Sequence, residues 1–222
     1  LDGPKARAYK LPTEEERLEK FLGQLDSVFP GLPNPYEPRM KVYPLSFDGV
    51  KLITVDRYED QRGTFSDHWH EIKHKEIFGD VTFKQDSYVI SNRGVIRGLH
   101  YQIPPHDQGK LVRCIRGSIQ DVVVDLRKSS ETFGHWLQVR LDGDIRHQDM
   151  LWIPPGLAHG YCVLGDRADV LYKMTQVHDV EHERTLLWND KDLDIPWEKA
   201  RVPILSDKDK KGTPFKQADL FD

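Results

Sequence analysis

Residues 93–102 read RGVIRGLHYQ, and roughly fifty positions later residues 151–164 read LWIPPGLAHGYCVL. Val95, Ile96, Leu99 and Tyr101 are good strand residues, yet two arginines, two glycines and a histidine share the same ten positions. Arg97 and His100 are three residues apart, so strict alternation would turn them to opposite faces of a strand. If both serve one pocket, Gly98 is the natural place for a bulge. Outward from these stretches the texture stays β. The runs VKLITV (50–55), KLVRCI (110–115), IQDVVVDL (119–126), HWLQVRL (135–141), GYCVL (160–164) and ADVLYKMT (168–175) alternate or cluster β-branched and aromatic residues. Glycines 109, 117, 134, 143, 156 and 165 lie near their ends. Many short strands with frequent turns predict a mainly β sandwich, jelly roll or small barrel. A short helix is expected near SDHWHEIKHKEIFG (66–79).

Residues 1–47 read differently. Thr13 and Glu16 form a capping-box pattern, and Leu18, Phe21, Leu22 and Leu25 recur at helical spacing. The run FPGLPNPYEP (29–38) then forbids regular pairing. This segment is expected to be an N-terminal arm, an amphipathic helix plus an extended strap, laid on a domain of residues 48–222 or on a partner. The composition suits a soluble globular protein, with 38% hydrophobic and 31% charged residues. No window approaches a membrane span, and no signal-peptide pattern opens the sequence. Cys114 and Cys162 stand far apart in apolar runs, which argues against a disulfide framework and fits a reducing cytoplasm. The net charge of −4 carries no basic block, so neither nucleic acid nor membrane is an expected partner.

Gly94 precedes His100 by six positions, and Pro155-Gly156-x-x-His159 follows later. The pair resembles the two motifs of the cupin superfamily, jelly-roll barrels whose lumen often holds a metal on a His-x-His pair, a carboxylate and a later histidine. Here Gln102 stands where the second histidine would be, and a carboxamide is a poor ligand for such a site. No metal is expected. His68, His70 and His74 also have ligand-like spacing, but the charged residues around them favour a solvated helix face. Asp121 and Asp125 share one strand face among valines. Asp121 would be costly to bury unless paired, with Lys110 as the expected partner. Tyr172 shares a face with Val170 and Met174, so a core tyrosine with a satisfied hydroxyl is an even alternative to a functional one.

The strings RGVIRGLHYQ, GKLVRCIRGSIQDVVVDLRKSSETFG, LWIPPGLAHGYCVL, LYK and EHERTLLWND run in unbroken order and resemble the dTDP-4-dehydrorhamnose 3,5-epimerase family. The resemblance implies a metal-free, cofactor-free cupin-type jelly-roll barrel. It also implies an isomerase that inverts C3, C5 or both, beside the C4 ketone of a nucleotide-linked 4-keto-6-deoxy sugar, in deoxysugar biosynthesis. By motif position His100 matches the base, Tyr172 the acid, Lys110 the cation near the developing oxyanion, and Asp209 (in LSDKD) the carboxylate paired with the base. Arg62, Arg97 and Lys208 match positions that contact the diphosphate or sugar, and His159 lies near the substrate. Asp67, Gln85, Asp86, Ser87 and Glu183 match positions facing the nucleotide. The family forms homodimers with exchanged N-terminal strands. Ser87 stands for the usual asparagine, Asp67 for a glutamate, Thr64 for an aromatic, and Val177-His178 where an aromatic commonly stacks on thymine; Tyr58 offers another stacking face. The reacting residues match while the base-recognition positions differ, so the resemblance speaks more directly for the reaction than for the nucleotide. Two other classes fit the motifs. One is a metal-dependent cupin oxygenase or isomerase using His100 and His159, and the other is a non-catalytic sugar-nucleotide binding module.

Overall fold

The computed structural model describes residues 40–143, 148–198 and 202–222. In chain order its strands begin β1 (Met40–Pro44), β2 (Lys51–Val55), β3 (Tyr58–Asp60), β4 (Gly63–Phe65), β5 (Gln85–Asn92), β6 (Ile96–Gln102) and β7 (Lys110–Arg116). They continue as β8 (Ser118–Asp125), β9 (Trp136–Asp142), β10 (Gln148–Ile153), β11 (Leu157–Val163), β12 (Arg167–Met174) and β13 (Glu183–Thr185). Helix α1 (Glu71–Phe78) falls between β4 and β5, and the four-residue α2 (Asp207–Lys210) follows β13.

Two antiparallel sheets form the jelly roll. The first has the order β1-β2-β10-β7-β12-β5 and the second β13-β6-β11-β8-β9, with β3-β4 as a separate hairpin. From β6 to β13 the chain passes repeatedly between the sheets, so residues distant in sequence face each other across one interior. That interior is apolar at one end, where Val112, Cys114, Ile119, Val123, Leu141, Leu157 and Val170 pack together. The outer face of the second sheet is covered by the C-terminal segment through Leu186, Leu193, Ile195 and Trp197 against Leu99, Val122, Val124 and Ala158. Hence β8 and β11 are buried on both faces, and Val122–Val124 run on without an exposed residue between them, where a half-exposed strand would alternate. Strand β5, at a sheet edge, alternates.

The helix expected within 66–79 is α1. Its histidines do not form a solvated face: His74 is buried, tilted against Trp69 with ring centroids 4.0 Å apart, and near Phe78 at 5.6 Å. His70 caps the helix through a side chain that accepts from Lys73 N–H. Burial holds the His74 imidazole below its ordinary pKa. Met40–Pro44, inside the span expected as an arm, pair with Lys51–Val55 in the first sheet. The expected helix and strap before them lie outside the described residues. Among the described residues no helix is long and apolar enough to cross a membrane.

Candidate active site

Strand β6 supplies the first group. His100 lies opposite His159 and Arg97 opposite Tyr161, so three steps on β6 match two on β11. This is the expected bulge, and it turns Arg97 and His100 to the same face. Gly98 has φ of +114°. A Cβ there would sit 2.6 Å from Gly160 Cα and 2.7 Å from the His159 carbonyl oxygen. The strands approach this closely only because both positions are glycine.

His100 Nε2 lies 2.5 Å from Asp209 Oδ1. Asp209 is buried in α2, and the Ser206 hydroxyl that caps this turn donates to its other oxygen at 2.8 Å. An imidazole donating Nε2–H to a carboxylate keeps its lone pair on Nδ1. Burial lowers the pKa of His100, against the opposing pull of Asp209, so the ring is neutral near pH 7.

Lys110 opens β7 in the facing sheet. It is 8% exposed and donates to the His100 carbonyl at 3.0 Å. Burial pulls its pKa down to about 8, opposed by the charges of Glu183 and Asp121. Asp121 is not its hydrogen-bond partner, as the sequence suggested. Both Asp121 oxygens lie 2.9 Å from His159 Nε2, and both residues are buried. Asp121 thus forms a second histidine–carboxylate pair, and the ammonium acts on it through its field alone.

Tyr172 projects from β12, also in the first sheet, with its ring edge-on to His159 at 5.9 Å. Burial holds its pKa well above 10, so it is a protonated phenol at neutral pH. Its ring also lies tilted beside that of Tyr161, with centroids 6.4 Å apart. Thus a neutral imidazole and a protonated phenol come from opposite sheets, with a buried ammonium on the phenol's sheet, donating to the backbone carbonyl of the imidazole's own residue. Such a set can remove a carbon-bound proton next to a carbonyl, steady the oxyanion and return a proton from the other side.

Other predicted residues gather at the same end. Glu183 accepts from Lys208 Nζ at 2.7 Å, and its charge acts on both Lys110 and His100. Arg97 Nε donates to Ser91 Oγ at 2.9 Å. Gln85 bonds Ser87 at 3.3 Å and the His178 N–H at 2.7 Å. Three predicted residues are elsewhere. Arg62 sits at the tip of the exposed β3–β4 hairpin, paired with Asp60. Asp67 is half-buried and acts on His74. Asp86 is an exposed residue between the half-buried Gln85 and Ser87 on β5 and pairs with Lys173 at 3.0 Å. Sequence reasoning missed Ser91, Tyr161 and Ser206. Period-two spacing from Ser87 and His159 and the S-x-x-D cap pattern at 206–209 were signals that could have found them.

Among the described residues neither His100 nor His159 belongs to a cluster of three convergent ligand atoms. Each lumen imidazole has its Nε2 bound to its own carboxylate, and Gln102 spends its amide between two loops. It donates to the His106 carbonyl at 2.7 Å and accepts from Asp179 N–H at 3.0 Å. Beside it, His106, Asp179 and His182 bring three potential ligand atoms within 4.8 Å. Asp179 Oδ1 is already engaged by His182 Nδ1 at 2.9 Å and by the Glu181 and His182 N–H groups.

The sequence profile of the family described as dTDP-4-dehydrorhamnose 3,5-epimerase matches residues 44–217. A dTDP-4-dehydrorhamnose 3,5-epimerase of Shigella flexneri is 44% identical over 183 residues, 82% of this chain and 99% of its own length. A dTDP-4-dehydrorhamnose 3-epimerase of Streptomyces niveus is 36% identical, covering 77% of this chain and 81% of its own. Among solved structures, the 3,5-epimerase of Legionella pneumophila in complex with dTDP-4-keto-L-rhamnose superposes with a TM-score of 0.77 at 37% identity. That match covers 82% of this chain and 95% of the other.

Proposed function

Because the chain belongs to the dTDP-4-dehydrorhamnose 3,5-epimerase family, we propose that it inverts C3, C5 or both in a dTDP-4-dehydro-6-deoxyglucose-type substrate. The observation that carries this reading is the His100–Asp209 base on one sheet and the Tyr172 phenol on the other. Inversion requires removal of a proton from one face of the sugar ring and delivery to the opposite face. His100 Nδ1 takes the proton α to the C4 ketone, and Asp209 steadies the imidazolium that results. Negative charge moves to the C4 oxygen, where the Lys110 ammonium stabilises it. Tyr172 then donates its proton to the other face. No cofactor enters this sequence.

Arg97 and Lys208 provide cations for the diphosphate, with His159, Gln85, Ser87 and Glu183 around the rest of the substrate. Arg62, Asp67 and Asp86 serve the nucleotide at a surface shared with a second copy of the chain, in a homodimer with exchanged N-terminal strands. The outward-facing Tyr88 and Ile90 on edge strand β5, 55% and 48% exposed, support such a contact. Cys114 and Cys162, buried on strands of different sheets, support a cytoplasmic setting.

The test is turnover of dTDP-4-dehydro-6-deoxyglucose followed by NMR, with and without a chelator. Chelator-insensitive inversion at one or both carbons is the expected result. Failure to turn over any 4-keto sugar nucleotide contradicts the proposal, and chelator-dependent activity supports the metal cupin instead.

A further inference from the structure

Tyr161 has no exposed surface, and its ring packs in the apolar interior with Val163 and Val170. A phenylalanine would fill the same space, so the buried hydroxyl calls for a partner and a purpose. It bonds Ser91 Oγ at 2.9 Å, where either atom can be the donor, and its ring lies tilted beside that of Tyr172, with centroids 6.4 Å apart. Ser91 is buried on β5 and accepts from Arg97 Nε at 2.9 Å. Two hydroxyls therefore run in a chain from beside Tyr172 to an arginine. A guanidinium only donates, so the chain ends on a fixed positive group.

We propose that Tyr161 is the positioning residue for Tyr172, holding its hydroxyl toward the sugar and, with Ser91, absorbing the charge left on the phenol oxygen. This rests on the reading of Tyr172 as the acid. Before the sugar is seated Tyr172 turns its single proton toward Tyr161, which donates to Ser91; once the sugar is seated, that proton turns to the ring carbon. When the Tyr172 proton bonds to carbon, a phenolate remains. The two hydroxyls then rotate, so that Ser91 donates to Tyr161 and Tyr161 donates to the phenolate, with no heavy atom displaced. Arg97 permits either direction because it occupies only one lone pair of Ser91. The cycle closes when the phenolate regains a proton from solvent and the His100 imidazolium releases one.

The test compares Tyr161→Phe, Ser91→Ala and Tyr172→Phe in deuterated water, reading deuterium wash-in and inversion separately. In Tyr161→Phe, kcat for inversion should fall about tenfold, the loss of one hydrogen bond to a charged group, while KM holds. Wash-in at His100 should persist, so the ratio of exchange to inversion rises. Ser91→Ala should move the ratio the same way by less, and it decides the matter if Tyr161→Phe does not fold. A wild-type ratio, or exchange and inversion falling in step, overturns the positioning role. Intact inversion in Tyr172→Phe overturns the acid assignment itself, whereas inversion lost there with wild-type behaviour in Tyr161→Phe overturns the positioning role alone.

Discussion

Two opposed effects set the protonation of His100. Burial disfavours the imidazolium, and Asp209 partly restores it. The folded-state pKa lies below the ordinary 6.5, so the unfolded chain takes up this proton more readily. The contribution of His100 to stability is therefore complete above that pH and declines as pH falls through it. For catalysis, the acid limb of kcat/KM should lie below pH 6.5. Replacing Asp209 with Asn removes the restoring charge, so the limb moves to still lower pH while kcat drops about 10²-fold or more, as the tautomer is no longer fixed. A pH–rate profile of both proteins checks the two effects together. Lys110 sets the other limb. Its pKa of about 8 predicts loss of activity as pH rises through that value. Lys110→Arg, permanently charged, should retain weak activity without that alkaline limb.

At the level of elements, the β6 bulge is the decisive feature, and it is legible in the sequence. A strand that must present Arg97 and His100 together cannot alternate, and glycine marked where it fails to. Gly98→Ala should cost about 2 kcal/mol or more from the positive φ alone, with the contact to Gly160 added. A melting curve should show Tm lowered by about 4–8 °C or more, and kcat should fall because His100 shifts against Arg97. Less legible was what β5 brings. Ser91 reaches Arg97 and Tyr161 only through the pairing of β5 with β12 and the crossing between sheets, which no local pattern encodes. The Asp121 pairing was misread for a related reason. Both Lys110 and His159 approach it, and only the register of β8 against β11, which sets His159 near Asp121, decides which one bonds. Asp209 was found by its motif, since 109 residues separate it from His100.

At the scale of the molecule, neither sheet holds a complete site. The second contributes His100, His159 and Asp121, the first Lys110, Tyr172 and Ser91, and the C-terminal segment Asp209 and Lys208. The fold class was readable because strand texture and turn spacing are local, whereas Arg62, Asp67 and Asp86 lie away from the lumen of their own chain. If they serve a shared surface, Tyr88→Lys with Ile90→Lys should shift the protein from dimer to monomer in sedimentation velocity and raise KM. A dimer unchanged by both lysines would place the interface elsewhere. The central claim is that base and acid act from opposite sheets on opposite faces of one ring. Deuterium wash-in by His100→Ala and Tyr172→Phe, measured by NMR on dTDP-4-dehydro-6-deoxyglucose, tests it most directly. The account predicts no exchange in the first and exchange without inversion in the second. Exchange surviving in His100→Ala, or full inversion in Tyr172→Phe, would contradict it.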